Sequence, residues 1–457
     1  MATTGTKKAV AMLCMLLVTL SGRPASAAQY IGVLKKSWQP LCEATTELGT
    51  LPSDVAHSLQ EATKQIKAMI LEATRAAIYV RAKGPSKQAE QAAVMSGYML
   101  TSALQGLEQL QHVDIPAGIK LSSTGPYLKG RIDEFLDVAR KVHQGGEGCI
   151  LSSSGSVLSG TDGKTLDSTP CSTSLPKLDP AEHALQHITP TGLKTAQDPQ
   201  NDANQHQHTA TANCRLFSAT STHGLGHSGN VGNQLTWAAG YYTVQPTSDG
   251  VLTVADLRQG EKSARRQETA WNEVFAAVKD RPNKGNRAYA NKSQEIATDP
   301  VGASMLFRIL INDVEATPDK LKPELTALFG TDVSQSVSKV FADINDLKLA
   351  TKVAGIEAGT QLGTISDAQQ LGALLAHYSI IELTQHRQLR KKLSENEKQT
   401  AKTHEQICNE IKDATECGKN ENCKYDDNIK GGPKCVLNET GKKGCKTRKR
   451  ESNRRER

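Results

Sequence analysis

Apolar and small residues recur along this chain at alternating steps of four and three. The first run is Leu59, Thr63, Ile66, Ile70, Ala73, Ala77 and Val80, the spacing of a coiled-coil seam. Gly84-Pro85 ends it, because proline disfavours helical geometry in the residue before it and has no N–H to donate. Ser86 caps a second run, Ala89, Ala93, Ser96, Leu100, Ala103, Leu107 and Leu110, at the same spacing. Two helices with matching seams and a short loop predict an antiparallel hairpin. At 1.5 Å per residue it is roughly 40 Å long or more. Pro52 marks the start of the first helix or a kink in it, with the helix extending back to Ile31 in the second case. The seams are rich in alanine and bury little area per layer, so the rod calls for further helices or a second subunit.

A third helical pattern lies near the other end. Ser366-Asp367-Ala368-Gln369 has the form of a capping box, and Leu371, Leu374, Tyr378 and Ile381 follow at helical spacing. This helix is predicted to run to about Leu393, pack along the hairpin and hand the chain to "SENEKQTAKTHEQ" (394–406), a solvated linker. Between the helices, residues 145–235 are rich in Gly, Ser, Thr, Asn and His, and no period survives for long. They predict loops with short strands held by covalent links. The fold class expected is mainly α: an elongated antiparallel helical hairpin with a loop-rich upper lobe and a small disulfide-stapled C-terminal domain.

The N-terminus sets the compartment. Lys7 and Lys8, the apolar run Ala9–Leu20, Pro24 and Ala25-Ser26-Ala27 read as a cleaved secretory signal, with the mature chain beginning near Ala28. The apolar run is too short to span a bilayer of about 30 Å. Aromatic residues make up only 4% of the chain, and the abundance of Ala, Leu, Gln, Lys and Glu favours helices over sheets. The net charge of +7 is concentrated in residues 442–457, which hold nine Lys or Arg against Glu451 and Glu456. The remainder is close to neutral, so a nucleic-acid-binding surface is not expected.

In an oxidising compartment the cysteines are candidate disulfides. Cys42, Cys149, Cys171 and Cys214 suffice for two bridges, with three connectivities open. Cys408, Cys417, Cys423 and Cys435 crowd a stretch of charged, amide and glycine residues that has no apolar run to form a core. Disulfides substitute for a core in so small a domain, whereas a zinc module would require reduced thiols. Asn291-Lys292-Ser293 and Asn438-Glu439-Thr440 are glycosylation sequons. "GLGHSG" (224–229) matches a dinucleotide-binding fingerprint, but no apolar strand precedes it and no clear helix follows, so it reads as a polar loop. His183, His187, His206 and His208 raise a metal site, yet no carboxylate cluster accompanies them and they read as solvated loop histidines. There is no nucleophile elbow, phosphate loop or zinc-protease motif, so neither an enzyme nor a cofactor is expected.

A signal peptide, an early cysteine before a long alanine-rich hairpin, three cysteines around a polar lobe and a cysteine-dense terminal knot together resemble a trypanosome variant surface glycoprotein. The placement of Cys42, Cys149, Cys171 and Cys214 is similar to the class A N-terminal domain, and the knot is similar to the four-cysteine C-terminal domain. The resemblance covers the chain from Ala28 to about Cys435 and implies the pairs Cys42–Cys171, Cys149–Cys214, Cys408–Cys423 and Cys417–Cys435. It implies the domains 1–27 (signal), 28–393 (N-terminal domain), 394–407 (linker), 408–445 (C-terminal domain) and 446–457 (basic tail). It further implies a homodimer on the outer face of the plasma membrane, held by a glycosylphosphatidylinositol lipid. That dimer would form a coat that evades host antibodies by antigenic variation. A receptor on the same scaffold, binding a host protein for nutrient uptake, is the alternative. Cys435 is followed by "VLNETGKKGCKTRKRESNRRER", which has no apolar tail to signal the lipid anchor and leaves Cys445 an odd thiol. The expectation drawn from it is a frameshifted or truncated copy whose product is secreted or retained.

Overall fold

The computed structural model describes residues 31–159, 163–196, 207–208, 214–221, 224–246, 252–258, 269–282, 305–312 and 318–442. The protein is mainly helical, built from long antiparallel helices. The helices are α1 (Lys35–Leu48), α2 (Leu51–Lys83), α3 (Lys87–Gln109), α4 (Ile115–Lys141), α5 (Thr269–Lys279), α6 (Pro318–Phe329), α7 (Val333–Asn345), α8 (Ala368–Glu410) and α9 (Ala414–Lys419). The strands among the described residues are two or three residues long and form small antiparallel sheets, and Val33 of the first strand also makes a parallel bridge with Ile150. Contacts divide the chain into two compact units, Met1–Lys67 with Ala103–Tyr289, and Ala68–Ser102 with Ala290–Arg457.

The first unit holds most of the large buried side chains. Leu41, Leu48 and Leu51 meet Leu128, Ile132 and Phe135 of α4, while Trp271 and Phe275 come from α5. Tyr242 is the hub of an aromatic cluster, with ring centroids 5.3 Å from Phe135, 5.8 Å from Phe217 and 4.8 Å from Tyr241. Rings at these tilted separations add attraction beyond their area. All three tryptophans of the chain belong to the core of this unit or pack against it.

In the second unit, residues 68–83 and 87–102 form the hairpin about Gly84, whose φ of +66° is the left-handed turn that glycine adopts without strain. Ser96 Oγ donates to the Ala73 carbonyl at 2.8 Å, tying one helix to the other. Gln91 Nε2 donates to the Leu328 carbonyl at 2.7 Å, and Arg75 Nη2 to the Ile365 carbonyl at 2.7 Å. Arg81 lies 3.7 Å from Glu382 of α8, so the C-terminal helix does pack along the hairpin.

Several local expectations are corrected. The first helical stretch does not extend back to Ile31 as one piece. Gly32–Val33 is a strand, α1 ends at Leu48, and Pro52 sits in the first turn of α2, where its missing N–H costs nothing. The seam has the predicted period but a shifted phase: Val55, Ser58, Ala62, Ile66, Met69, Ala73 and Ala76 are buried, whereas Thr63 and Ile70 are exposed. On α3, Ala92, Met95, Met99 and Ala103 are buried, while Ala93, Leu100 and Leu107 are exposed. The second helix does not stop at Leu110. One turn of π-helix, Leu110–Asp114, carries it into α4, with Pro116 in the opening turn of α4.

Gly118 and Gly125 permit close packing of α4. A Cβ on Gly118 would lie 2.8 Å from Val55 Cγ1, and one on Gly125 would lie 2.7 Å from Leu51 Cδ1. At α8 the cap is Asp367, which accepts from Gln370 N at 2.8 Å, so the box is displaced by one residue from Ser366. The same helix continues to Glu410 through the stretch expected to be a linker. Residues 394–407 contain no Gly or Pro and are dominated by good helix formers, so nothing in them halts propagation.

Candidate functional site

The polar lobe of the first unit is fastened by side chains aimed at the loops' main chain. Trp38 Nε1 donates to the Leu151 carbonyl at 2.8 Å, Trp237 Nε1 to Leu216 at 2.9 Å, and Trp271 Nε1 to Ala238 at 3.1 Å. Each indole buries an apolar body and satisfies its one donor on a backbone acceptor. Glu47, 8% exposed, works in the opposite sense: its carboxylate accepts from the backbone N–H groups of Gln186, His187 (3.1 Å) and Ile188 (2.6 Å). A buried carboxylate with several amide donors is compensated for the solvation it has lost. Lys129, buried on α4, is held by Asp133 at 2.7 Å, the Ser172 carbonyl at 3.0 Å and Thr45 at 3.3 Å. Asp137 pairs with Lys141 and Arg140, whose hydrogen bonds hold its carboxyl below the usual carboxylate range. Burial pushes the Tyr241 and Tyr242 phenols up, and Ser37 meets the Tyr242 hydroxyl at 2.9 Å.

The eight candidate cysteines come together in four bonds. Cys42 joins Cys171 and Cys149 joins Cys214, with Cα separations of 4.5 and 4.7 Å. Cys408 joins Cys423 and Cys417 joins Cys435, at 5.6 and 5.8 Å. In the C-terminal knot the four cysteines are the buried core, with Ile411, Tyr425 and Leu437 packed against them. Asp413 caps α9 through Thr415 N and Glu416 N, and Cys423–Tyr425 pairs with Cys435–Leu437.

Asn438 follows that second strand, and its amide is hydrogen-bonded within the knot. Asn291, Cys445 and the basic tail lie outside the described residues.

Among the loop histidines, His187 Nδ1 stands 3.5 Å from Glu43 Oε2 and the His183 N–H donates to Asp54 at 3.0 Å. Both histidines border an open cleft with Gln39, Glu43, Glu47 and Thr169. His206 lies outside the described residues, and His208 is placed only as part of a strand. Among the described residues no three His, Cys, Asp or Glu side chains gather to hold a metal ion. The loop at 224–229 is tightly folded on itself: a Cβ on Gly224 would come within 2.2 Å of the Ser218 carbonyl oxygen. Among the described residues no helix is long and apolar enough to cross a membrane.

The feature that sequence reasoning missed is an apolar row left uncovered in the single chain. In the first unit Leu104 (52% exposed), Leu107, Ile115 and Ile119 (64%) stand on α3 and α4. In the second unit Ile380, Leu383, Leu389 and Leu393 are exposed on α8. Monomeric soluble proteins rarely leave such rows open. The signal was present in the second seam, whose leucines were assigned to the intrachain contact when alanines and methionines fill it.

Comparison with known proteins agrees with this architecture. The profile of the trypanosome variant surface glycoprotein (A-type) matches residues 13–379. Variant surface glycoprotein MITAT 1.2 of Trypanosoma brucei brucei is 28% identical over 425 residues, covering 90% of this chain and 88% of that protein. Variant surface glycoprotein MITAT 1.1 of the same organism is 27% identical over 410 residues, covering 87% and 82%. A solved structure, of MITat 1.1, superposes with a TM-score of 0.72 at 25% identity, covering 80% of this chain and 100% of that one. With the profile matched over most of its length and the helical frame shared, the chain belongs to the A-type trypanosome variant surface glycoproteins, the non-enzymatic coat proteins of antigenic variation.

Proposed function

We propose that this chain acts as a homodimeric coat subunit on the outer face of the plasma membrane, as its family does, and reaches it through the secretory pathway. The observation that carries the dimer is the open row of Leu104, Leu107, Ile115 and Ile119. Covering an exposed large aliphatic side chain contributes about 1.5–3 kcal/mol before the cost of association, so two facing rows supply a sizeable driving force. In this reading the pairs Cys42–Cys171, Cys149–Cys214, Cys408–Cys423 and Cys417–Cys435 form in the mature protein, supported by the burial of all eight sulfur-bearing residues. N-linked sugar is carried on Asn291, and on Asn438 in chains whose terminal knot has not closed, and the domains are 28–393 and 408–445, joined by 394–407. The loops of residues 145–235 present the surface that host antibodies meet, supported by their polar composition. Light scattering of the mature chain at micromolar concentration should give twice the chain mass, and Leu104→Glu with Ile119→Glu should return it to one. A monomeric wild type, or an unaffected double variant, overturns the proposal.

A further inference from the structure

Asn438 lies in a sequon, yet every polar group it owns is already engaged in the knot. Its backbone N–H donates to the Asn422 carbonyl at 3.0 Å, and its own carbonyl accepts from Lys442 N at 2.9 Å. Its side-chain Oδ1 accepts from Gly441 N at 2.8 Å, and Nδ2 donates to the carbonyls of Glu421 (2.8 Å) and Cys423 (3.2 Å). Both amide protons are therefore directed at main-chain oxygens of the opposite strand and the turn before it. The position cannot relax easily, because Gly441 is pressed against the same turn: a Cβ there would stand 2.6 Å from the Asn422 oxygen. Glu439 and Thr440, the rest of the sequon, lie in a helical turn.

N-glycosylation forms a bond from Nδ2 to a sugar C1. One amide proton is lost to base, and the pyrophosphate of a lipid-linked oligosaccharide donor departs. An N–C single bond is about 1.45 Å, so a C1 placed along either N–H direction would fall about 1.4 to 1.8 Å from the accepting oxygen, where contact distance is about 3.3 Å. We infer that Asn438 is a strut of the disulfide knot and that glycosylation at Asn438 and closure of the knot exclude one another. A sugar reaches this asparagine only on chains whose knot is still open, and once attached it keeps the side chain out of its seat. The sequon is in effect a competitor of disulfide formation at Cys417–Cys435.

The inference rests on the secretory reading only for the supply of the transferase, and the test separates the two. The full chain is secreted from a glycosylating cell line, and site occupancy is measured by mass spectrometry on non-reduced peptides. Expected is sugar on Asn438 confined to molecules with an open knot, and an occupancy at least severalfold higher in Cys417→Ser/Cys435→Ser. Sugar on Asn438 in peptides that retain both knot disulfides overturns the proposal. So does an unchanged occupancy when the knot is opened while Asn291 is occupied. Absence of sugar from Asn291 in every variant counts against the secretory reading alone, and a second measurement then decides. Thr440→Ala abolishes the sequon but keeps the strut, whereas Asn438→Gln abolishes both. Dithiothreitol should open the knot of Asn438→Gln about tenfold faster than that of Thr440→Ala, the loss expected when the Glu421 and Cys423 carbonyls lose their donor and Gly441 N its acceptor. Equal opening rates refute the strut.

Discussion

Gly118 offers a direct measure of how tightly α2 and α4 are pressed together. Replacing it by alanine places a methyl 2.8 Å from Val55 Cγ1, 3.4 Å from Pro282 Cγ and 3.5 Å from Leu59 Cδ1. Carbon contacts are optimal at about 3.5–4.0 Å, so the first is short by about 1 Å. Val55 is 5% exposed, and a β-branched side chain in a helix has essentially one rotamer, so it has nowhere to turn. Overpacking of this kind costs about 1–3 kcal/mol, against a helix-propensity gain of about 1 kcal/mol for removing glycine. Gly130 lies on the same helix with nothing within 4 Å of its would-be Cβ, so Gly130→Ala collects the propensity gain alone. The difference between the two variants isolates the packing term, about 1–3 kcal/mol. At about 2–4 °C per kcal/mol, Gly118→Ala should melt several degrees below Gly130→Ala. Tryptophan fluorescence during urea unfolding is suited to the measurement, since all three indoles lie in the first unit. A Val55→Ala background should shrink the penalty of Gly118→Ala, as coupled neighbours do. Equal stability of Gly118→Ala and Gly130→Ala would refute the close-packing account of these glycines.

Three further outcomes are expected. Glu47→Ala strips the acceptor from the amides of Gln186, His187 and Ile188 and should destabilise the first unit by about 1–3 kcal/mol, with faster hydrogen exchange at those amides; unchanged exchange there would sink the idea. Cys149→Ser/Cys214→Ser opens a link of sequence separation 65, for which the chain-entropy model gives about 4 kcal/mol, measurable as a lowered urea midpoint that a native-like midpoint would contradict. Asp137 has its carboxyl lowered by Lys141 and Arg140, so its contribution is present above the unfolded value near 4 and is lost as pH falls through the lower folded value. The effect is small because the carboxylate is partly solvated, and Asp137→Asn should flatten stability slightly below about pH 4, as read by melting temperature against pH.

The period of the hairpin was legible in the sequence because helical spacing survives even when most seam residues are small. Its phase was not. In a stretch such as Ala73-Thr74-Arg75-Ala76-Ala77, several rows satisfy the same alternation, and only the bulk of Met69, Met95 and Met99 shows which row is covered. The packing role of Gly118 and Gly125 was not legible, since it depends on what lies opposite each glycine, here Val55 and Leu51, more than fifty residues away. Cysteine number was plain, whereas the joining of distant loops through Glu47 or Trp271 has no local signature. Asp367 rather than Ser366 caps α8 because both residues suit the position, and one residue of offset is decided by where the preceding chain arrives.

The three indoles and Glu47 share a property that bears on how such a surface can diversify. They grip the carbonyls of Leu151, Leu216 and Ala238 and the amides of residues 186–188, groups that every amino acid supplies except for proline's missing N–H. Substitution of the loop side chains therefore leaves each fastening intact so long as the backbone path is kept. A lineage under pressure to look different can rewrite the lettering of these loops freely while the rivets behind them never need to be recut.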